Sequence, residues 1–368
     1  MSSGRNIVRT GLRLGICALL LLWILHSIFV DEGRLIWQRQ GHSWETLSRG
    51  EQWKIGWSYG PGELWHTLIQ VTASGLFLSI VCAGLAIVLG ALRWFMVLRA
   101  AGLDLQWNRA MEISFVAHFF NSFLLGSTGG DLLKAYYAAR ETRHKKIEAV
   151  VTVYVDRLIG LFSMLLFAGM MIPPNSGLLF SQGRLAAVTW LVLAMLLGCA
   201  IVAGMSFWGG ISRRWPKARD WFRRLSQGEI LERSLEACRQ FGRKPVFLAR
   251  VVVFSMLLNG VCVLQMWVLS QGMHLQISPL ALLVIVPMII CISALPVTPS
   301  GLGVRENLYV LMLAAPGIGI GSTQALSLSL LAYACSLFWS LIGAGVYISV
   351  KETHHLVEVT ASDQVTAG

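Results

Sequence analysis

Two neighbouring charged residues, Arg305 and Glu306, stand out in an otherwise apolar stretch. Residues 251–350 contain no other Asp, Glu, Lys or Arg, and the pair follows a break that includes Gly301 and Gly303. Glycine lets a backbone approach a ligand closely, and the start of a helix offers free N–H groups and a positive dipole end. The pattern therefore indicates a site for a phosphate or another anion. The alternative is that the two charges pair with other helices and only fix packing.

A similar group of residue types occurs in the first half of the chain. Its members are Gly129, Gly130, Asp131 and Lys134. Asp131 could instead cap the helix that follows it, and Lys134 could report topology alone. Two polar residues complete the candidate headgroup-binding set, one before the first break and one within the second: Asn121 and Thr298.

Asp156 and Arg157 interrupt a third apolar run, 149–172. They lie well inside that run, and we expect them near the middle of a membrane. Neighbours on a helix point about 100° apart, so we expect separate partners for the two side chains, with the glycine-rich segments as candidates. A buried structural ion pair is the alternative.

Three further residues are weaker candidates. We interpret Arg93 as an interface anchor and His118 as a core histidine, and Asn259 is a polar residue in an apolar run. The sequence contains no CxxC, HExxH, GxxxxGK[ST] or GxGxxG pattern, so we predict no catalytic residues, no metal site and no cofactor.

Composition places these residues in a membrane. Of the 368 residues, 55% are apolar and 13% are charged, against about 25% charged in soluble domains. The mean hydropathy is +0.63. These values exclude a soluble enzyme and predict a polytopic membrane protein. The net charge of +11 then reports topology, because Lys and Arg collect in cytoplasmic loops, and does not indicate a nucleic-acid partner.

Six apolar runs are long enough to cross a bilayer. They are 11–30, 67–92, 149–172, 185–208, 250–271 and 324–350. The first could be a signal peptide, but it lacks a small-x-small cleavage site, and we expect it to be retained.

Two more apolar segments, 111–126 and 280–297, end in Gly- or Pro-rich breaks. Irregular backbone at membrane depth is tolerated inside protein or beside a water-filled cavity, so we predict re-entrant hairpins. The basic loop 209–249 and the basic flanks of the first hairpin, including Arg93 and Arg99, should be cytoplasmic. The tryptophan-rich loop 31–66 suits the outer interface.

The predicted fold is an all-α polytopic membrane protein with six spanning helices and two re-entrant hairpins. We expect one membrane domain, 1–368, built as an inverted repeat of 11–172 and 185–350, with a short cytoplasmic tail, 351–368. A single offset relates Gly130 to Gly301 and Lys134 to Arg305. Inverted repeats with broken helices are typical of transporters. The alternative is eight ordinary helices without duplication.

Three motifs resemble the lysylphosphatidylglycerol synthase transmembrane-region family, also called flippase-like domain proteins. They are FFNSFLLGSTGGDLLK at 119–134, VYVDRLIGL at 153–161 and LPVTPSGLGVRE at 295–306. The resemblance runs from the second span to the last. Leu125 departs from it, because the first motif often has a proline there.

The resemblance implies a function in lipid handling. In the bifunctional synthases, the membrane region is associated with moving an aminoacylated phospholipid between leaflets, and a soluble C-terminal domain performs the aminoacyl transfer. Residues 351–368 follow the last span here, so we expect that domain to be absent and the chain not to be an enzyme. A bacterial inner membrane with both termini in the cytoplasm is the expected location.

The leading hypothesis is therefore a lipid translocase whose partners are anionic phospholipids or glycolipids. Arg305, Lys134 and Arg157 would hold the lipid phosphate, while the acidic residues would balance charge or relay protons. The six charges expected within the membrane cancel, three against three: Asp131, Lys134, Asp156, Arg157, Arg305 and Glu306. The alternatives are a membrane enzyme or accessory subunit of lipid or glycolipid biosynthesis, and a non-transporting lipid-binding scaffold.

Overall fold

The computed structural model describes residues 22–23, 25–38, 40, 42–123, 129–142, 145–207, 237–295 and 301–366. Every regular element within these ranges is helical. The helices are α1 (25–38), α2 (Arg49–Ile69), α3 (Ala73–Ala100), α4 (Trp107–Phe123), α5 (Gly129–Glu141), α6 (Lys146–Met171), α7 (Gly183–Phe207), α8 (Pro245–Gly272), α9 (Pro279–Ser293), α10 (Val304–Leu313) and α11 (Ser322–Thr366). Short helical segments at Pro173–Asn175, Ser176–Leu179 and 237–242 connect some of them.

Five helices are long and apolar enough to cross a membrane. They are α3, α6, α7, α8 and the Ser322–Ser349 part of α11, and they correspond to the second to sixth predicted spans. The first predicted span, 11–30, lies mostly outside the described residues, and its last residues begin α1. The chain is therefore a multi-pass membrane protein with an all-helical fold.

The second span differs from its prediction at both ends. Residues 67–69 belong to α2, and α3 begins after Thr72, whose hydroxyl accepts a hydrogen bond from the Gly75 N–H at 3.3 Å. At its other end α3 continues through Arg93 and Arg99 to Ala100. The predicted end of the span at residue 92 was too early, because arginine is a good helix former and the chain turns only at Gly102, where φ is +69°.

The region 31–66, predicted as a loop, is largely helical. Helix α1 continues to residue 38, and α2 starts at Arg49 after a reciprocal cap between Ser48 and Glu51. The Ser48 hydroxyl also donates to Glu51 Oε2 at 2.7 Å, and this hydrogen bond lowers the pKa of the Glu51 carboxyl. Trp53, Trp57 and Trp65 are exposed on α2. The tryptophans are therefore presented by a helix.

Helices α3 and α8 pack side by side and run antiparallel. At one end the Thr72 N–H donates to the Gly272 carbonyl at 2.9 Å, and at the other end Lys244 Nζ donates to the Ala100 carbonyl at 2.7 Å. A Cβ on Gly75 would lie 2.7 Å from the Gly272 Cα, so two glycines permit this close approach. Because α4 follows α3 and α9 follows α8, these two helices start at opposite ends of the bundle.

Each of α4 and α9 ends inside the bundle and is followed by a short helix. Residues 124–128 separate α4 from α5, and residues 296–300 separate α9 from α10; both breaks lie outside the described residues. Helix α5 packs on α4 and α6, while α10 packs on α9 and α11. The main hydrophobic core connects α6, α8, α9, α10 and α11. The two interrupted segments therefore approach the centre from opposite ends.

Candidate functional site

A cavity of about 390 Å³ lies where the interrupted segments meet the spanning helices. Its walls come from α3, α4, α6, α8, α9, α10 and α11. Three arginines from three different helices line it: Arg93, Arg157 and Arg305. Asn259 and Arg157 belong to the middle turns of α8 and α6, so the cavity lies deep within the bundle.

Asp156 on α6 joins two cations from different elements. Its carboxylate accepts from Arg93 Nε at 2.8 Å and from Lys134 Nζ at 3.3 Å. The Asp156 side chain is 9% exposed and that of Lys134 is 10% exposed. Lys134 Nζ also lies 4.3 Å from the centre of the Trp94 ring. One carboxylate thus ties α3 and α5 to α6.

Arg93 reaches this position because Gly160 faces it. A Cβ at Gly160 would lie 2.7 Å from the guanidinium nitrogens. Arg93 Nη1 also donates to Ser255 Oγ on α8 at 3.4 Å. The interpretation of Arg93 as an interface anchor is therefore corrected: it is part of the buried network. Its position directly after an uncharged run gave the sequence no means of distinguishing the two roles.

Arg157 does not share the partners of its neighbour Asp156. Its Nη1 lies 3.1 Å from Asp131 Oδ2, with side-chain exposures of 39% and 25%. Asp131 is in the first turn of α5. Adjacent positions on α6 therefore have separate partners, as their angular separation predicts, and both partners of α6 on the hairpin side come from α5.

Arg305 is held by three contacts at the second interrupted segment. One amino group pairs with the fully buried Glu306, and Nε donates to Ser329 Oγ at 3.3 Å. The guanidinium carbon lies 4.6 Å from the centre of the Tyr333 ring. Neither Ser329 nor Tyr333 carried a sequence signal, because both sit among the apolar residues of α11.

The first hairpin is closed by a side chain and a glycine. Asn121 Oδ1 accepts from the Gly130 N–H at 2.8 Å, which serves one of the unpaired donors at the start of α5. A Cβ at Gly130 would lie only 1.9 Å from the Ala117 carbonyl oxygen. Gly129 begins the same helix. Asn121 therefore has a structural role in addition to lining the cavity.

The second hairpin uses glycine for a different reason. Gly301 and Gly303 have φ values of +71° and +82°, a region that side-chain-bearing residues rarely adopt. The Gly303 N–H donates to Glu306 Oε2 at 2.6 Å, so the buried carboxylate caps α10. Thr298, predicted to bind the headgroup, lies outside the described residues.

Uncharged polar groups complete the cavity wall. His118 Nε2 lies 3.2 Å from the Ser336 carbonyl oxygen. Asn259 is 3% exposed, and neither its Nδ2 nor Ser293 Oγ has a hydrogen-bond partner among the described residues. No group of three His, Cys, Asp or Glu side chains in that part of the chain could hold a metal ion.

The charges around the cavity differ from those predicted within the membrane. Arg93 joins the predicted set, so among the described residues four cations pair with three carboxylates, in three groups around the cavity. The breaks 124–128 and 296–300 contain no ionisable residue. The described charges of the site therefore sum to one positive charge, whereas the predicted set was balanced.

Comparison with known proteins identifies the family. The profile described as "Lysylphosphatidylglycerol synthase TM region" matches residues 50–344. A UPF0104 membrane protein of Methanothermobacter thermautotrophicus is 25% identical over 74% of this chain and 83% of its own length. Another, from Pyrococcus horikoshii, is 23% identical over 77% of this chain and 88% of its own length. The chain belongs to the lysylphosphatidylglycerol synthase transmembrane-region family, whose profile covers α2 to α10 and most of the membrane-spanning part of α11.

Proposed function

We propose that this protein translocates an anionic phospholipid or glycolipid by passing its headgroup through the central cavity. The observation that carries the proposal is the convergence of Arg93, Arg157 and Arg305 on one cavity deep in the bundle. Charged side chains at membrane depth cost several kcal/mol and are typically retained for function. Guanidinium groups match the oxygen geometry of phosphates, so the site has the chemistry for a lipid phosphate.

An inverted repeat would give this cavity two ways to open. If α3, α4, α5 and α6 correspond in order to α8, α9, α10 and α11, the contact of α4 with α11 corresponds to the contact of α9 with α6. In the same correspondence, the contact of α3 with α11 matches the contact of α8 with α6. This correspondence, together with the antiparallel α3 and α8, supports two related halves of opposite orientation. Rocking of such halves about a fixed central site is how many transporters alternate access.

In this mechanism the headgroup occupies the cavity while the acyl chains stay in the bilayer. The arginines neutralise the phosphate in a region where water is scarce, and the three carboxylates hold the arginines in place and limit their mutual repulsion. Because α5 and α10 each carry part of the network, movement of either hairpin would change the site. We propose a bacterial inner membrane as the location, with both termini in the cytoplasm, and the basic loops support this orientation.

Reconstitution of the full chain tests the proposal. Vesicles containing fluorescent phosphatidylglycerol should lose fluorescence beyond the outer-leaflet half when a membrane-impermeant reductant is added. The double variant Arg305→Gln, Glu306→Gln removes the arginine without leaving an unpaired buried carboxylate, and it should slow the loss at least about tenfold. Arg99→Gln changes an exposed residue of an ion pair with Asp104 and serves as the matched control.

One outcome of the vesicle assay would contradict the proposal. If protein-containing and empty vesicles lose the same fluorescence across anionic, zwitterionic and glycolipid probes, the protein is not a translocase. Binding of those lipids without transport would favour the scaffold.

A further inference from the structure

The net charge of the cavity network restricts its ligand. Four cations, Arg93, Lys134, Arg157 and Arg305, contact three carboxylates, those of Asp131, Asp156 and Glu306. Among the described residues, the cavity wall contains no other formally charged side chain, and the sequences of the two breaks, 124–128 and 296–300, contain no ionisable residue. The described charges therefore sum to one positive charge in a setting of low dielectric, where uncompensated charge is costly.

Two arginines retain donors that no described residue uses. Arg93 engages Asp156 and Ser255 through Nε and Nη1, which leaves Nη2. Arg305 engages Ser329 and Glu306 through Nε and Nη2, which leaves Nη1. Both side chains line the cavity, so two guanidinium groups can each offer a donor to one bound anion.

The same cavity also presents unpaired neutral groups. Asn259 Nδ2 and Ser293 Oγ are buried without a hydrogen-bond partner among the described residues, and both residues are part of the wall. Buried polar groups are normally satisfied, so an amide with 3% exposure and no partner points to a ligand that completes it. A headgroup with hydroxyl or carbonyl oxygens would accept from Asn259 and Ser293.

We infer that the ligand is a phosphodiester lipid with one net negative charge and a hydroxyl- or carbonyl-bearing headgroup. This inference rests on the proposed function and specifies its substrate class. A single phosphodiester brings the occupied site to neutrality. A zwitterionic headgroup would leave one positive charge, and a pyrophosphate or bisphosphate would leave an excess of negative charge.

Native mass spectrometry of the detergent-solubilised full chain tests the class directly. Phosphatidylglycerol, phosphatidylcholine and cardiolipin are offered in pairs, because they carry one, zero and two negative charges. We expect phosphatidylglycerol to bind about tenfold or more tightly than either competitor, a difference of about 1.4 kcal/mol or more. Equal binding of phosphatidylcholine to the wild-type chain would overturn the inference, whatever the variants do.

Two substitutions at one ion pair shift the charge in opposite directions. Arg157→Gln brings the site to zero and should abolish the preference for phosphatidylglycerol over phosphatidylcholine. Asp131→Asn brings it to plus two and should move the preference to cardiolipin. Arg99→Gln and Asp104→Asn change an exposed pair outside the cavity and should leave both ratios as in the wild type. Unshifted ratios in a folded Arg157→Gln chain would contradict the charge argument.

A soluble competitor separates a lipid from a free phosphodiester. Glycerophosphoglycerol has the headgroup of phosphatidylglycerol without its acyl chains, and we expect it to compete at least about tenfold less well. Equal competition would assign the site to a soluble anion and overturn the lipid inference. Selective binding without transport in the vesicle assay would leave this inference standing and contradict the proposed function. Transport without a charge preference would support the proposed function and contradict this inference.

Discussion

At the scale of single residues, two of the three carboxylates, those of Asp156 and Asp131, hold cations from other helices, whereas Glu306 holds the neighbouring arginine of its own helix. Asp156 accepts from Arg93 and Lys134 at 2.8 Å and 3.3 Å, with 9% of its side chain exposed. A buried ion pair adds little net stability when intact, but removing one partner leaves an uncompensated charge. Exposed pairs behave differently, because water solvates each charge alone. Burial therefore decides how much stability is lost when a carboxylate is removed.

Asp156→Asn should destabilise the chain strongly. It leaves both Arg93 and Lys134 without their carboxylate, and we expect a cost of about 3–5 kcal/mol in the free energy of unfolding. Asp104→Asn breaks a pair whose acid is 93% exposed and should cost less than about 1 kcal/mol. Denaturant titration of both purified variants measures the difference. Equal losses would contradict the assignment of Asp156 to a buried network.

Asn259→Leu should have effects of opposite sign on stability and binding. The substitution removes a buried amide without a described partner, so the ligand-free chain should gain up to about 1–3 kcal/mol. Lipid-induced stabilisation should fall at the same time. Asn175→Leu is the control, because Asn175 Nδ2 donates to the Met171 carbonyl at 2.9 Å, and its loss should lower stability. A drop in the melting temperature of Asn259→Leu would indicate that its amide is already paired.

At the scale of elements, each interrupted segment depends on a glycine next to its break. Gly130 brings α5 against the backbone of α4, and Gly301 takes a φ of +71° beside Ser293. The two glycines correspond in the predicted repeat but solve different problems, close approach in one case and backbone conformation in the other. The positions of Lys134 and Arg305 follow from these turns, since each residue lies four positions beyond its glycine.

Gly130→Ala should destabilise the first hairpin although alanine is the better helix former. Alanine gains up to about 1 kcal/mol in a helix, but its Cβ would lie 1.9 Å from the Ala117 carbonyl oxygen, and backbone cannot yield as a side chain can. We expect a net loss of about 1–3 kcal/mol and slower transport. Gly198→Ala on α7 meets nothing within 4 Å and should be neutral or stabilising. Thermal unfolding of both variants in the same detergent decides the sign.

At the scale of the whole molecule, the antiparallel packing of α3 and α8 sets the orientation of everything that follows each of them. Helices α4 and α9 start at opposite ends of the bundle, so the two hairpins reach the cavity from opposite sides. In the proposed mechanism, movement of one hairpin would open the central site to one side of the membrane, and movement of its counterpart would open it to the other. The charge network, which includes residues of α5 and α10, couples the site to both hairpins.

Cysteine labelling tests this orientation. Asp104→Cys lies in the connection between α3 and α4, and Gln276→Cys lies in the corresponding connection between α8 and α9; both positions are exposed. A membrane-impermeant maleimide applied from the cytoplasmic side should label Asp104→Cys, and the same reagent from the opposite side should label Gln276→Cys. The six native cysteines in the described residues are buried or half-buried, and the unmodified chain gives the background. Labelling of both positions from one side would rule out an inverted arrangement.

The sequence by itself predicted the features that depend on local composition. Runs of apolar residues predicted five spans that the structure contains, and Gly- and Pro-rich segments predicted the places where α4 and α9 end. Hydropathy and helix breaking depend on a few consecutive residues, so they can be recognised in the sequence without knowledge of the tertiary contacts. Charged residues in such runs, including Asp156, Arg157 and Arg305, were identified as candidates for the same reason.

Only the tertiary structure decided which residues meet. The partners of Asp156 come from residues 63 and 22 positions away, and Ser329 meets Arg305 across 24 positions. In the sequence, Arg93 resembles any basic residue at the end of a span. In the structure, Asp156 on α6 pairs with it, and Gly160 leaves room for its guanidinium group. Charge pairing at membrane depth is set by helix packing across the bundle, which no local pattern specifies. The extra positive charge of the cavity is therefore a property of the fold.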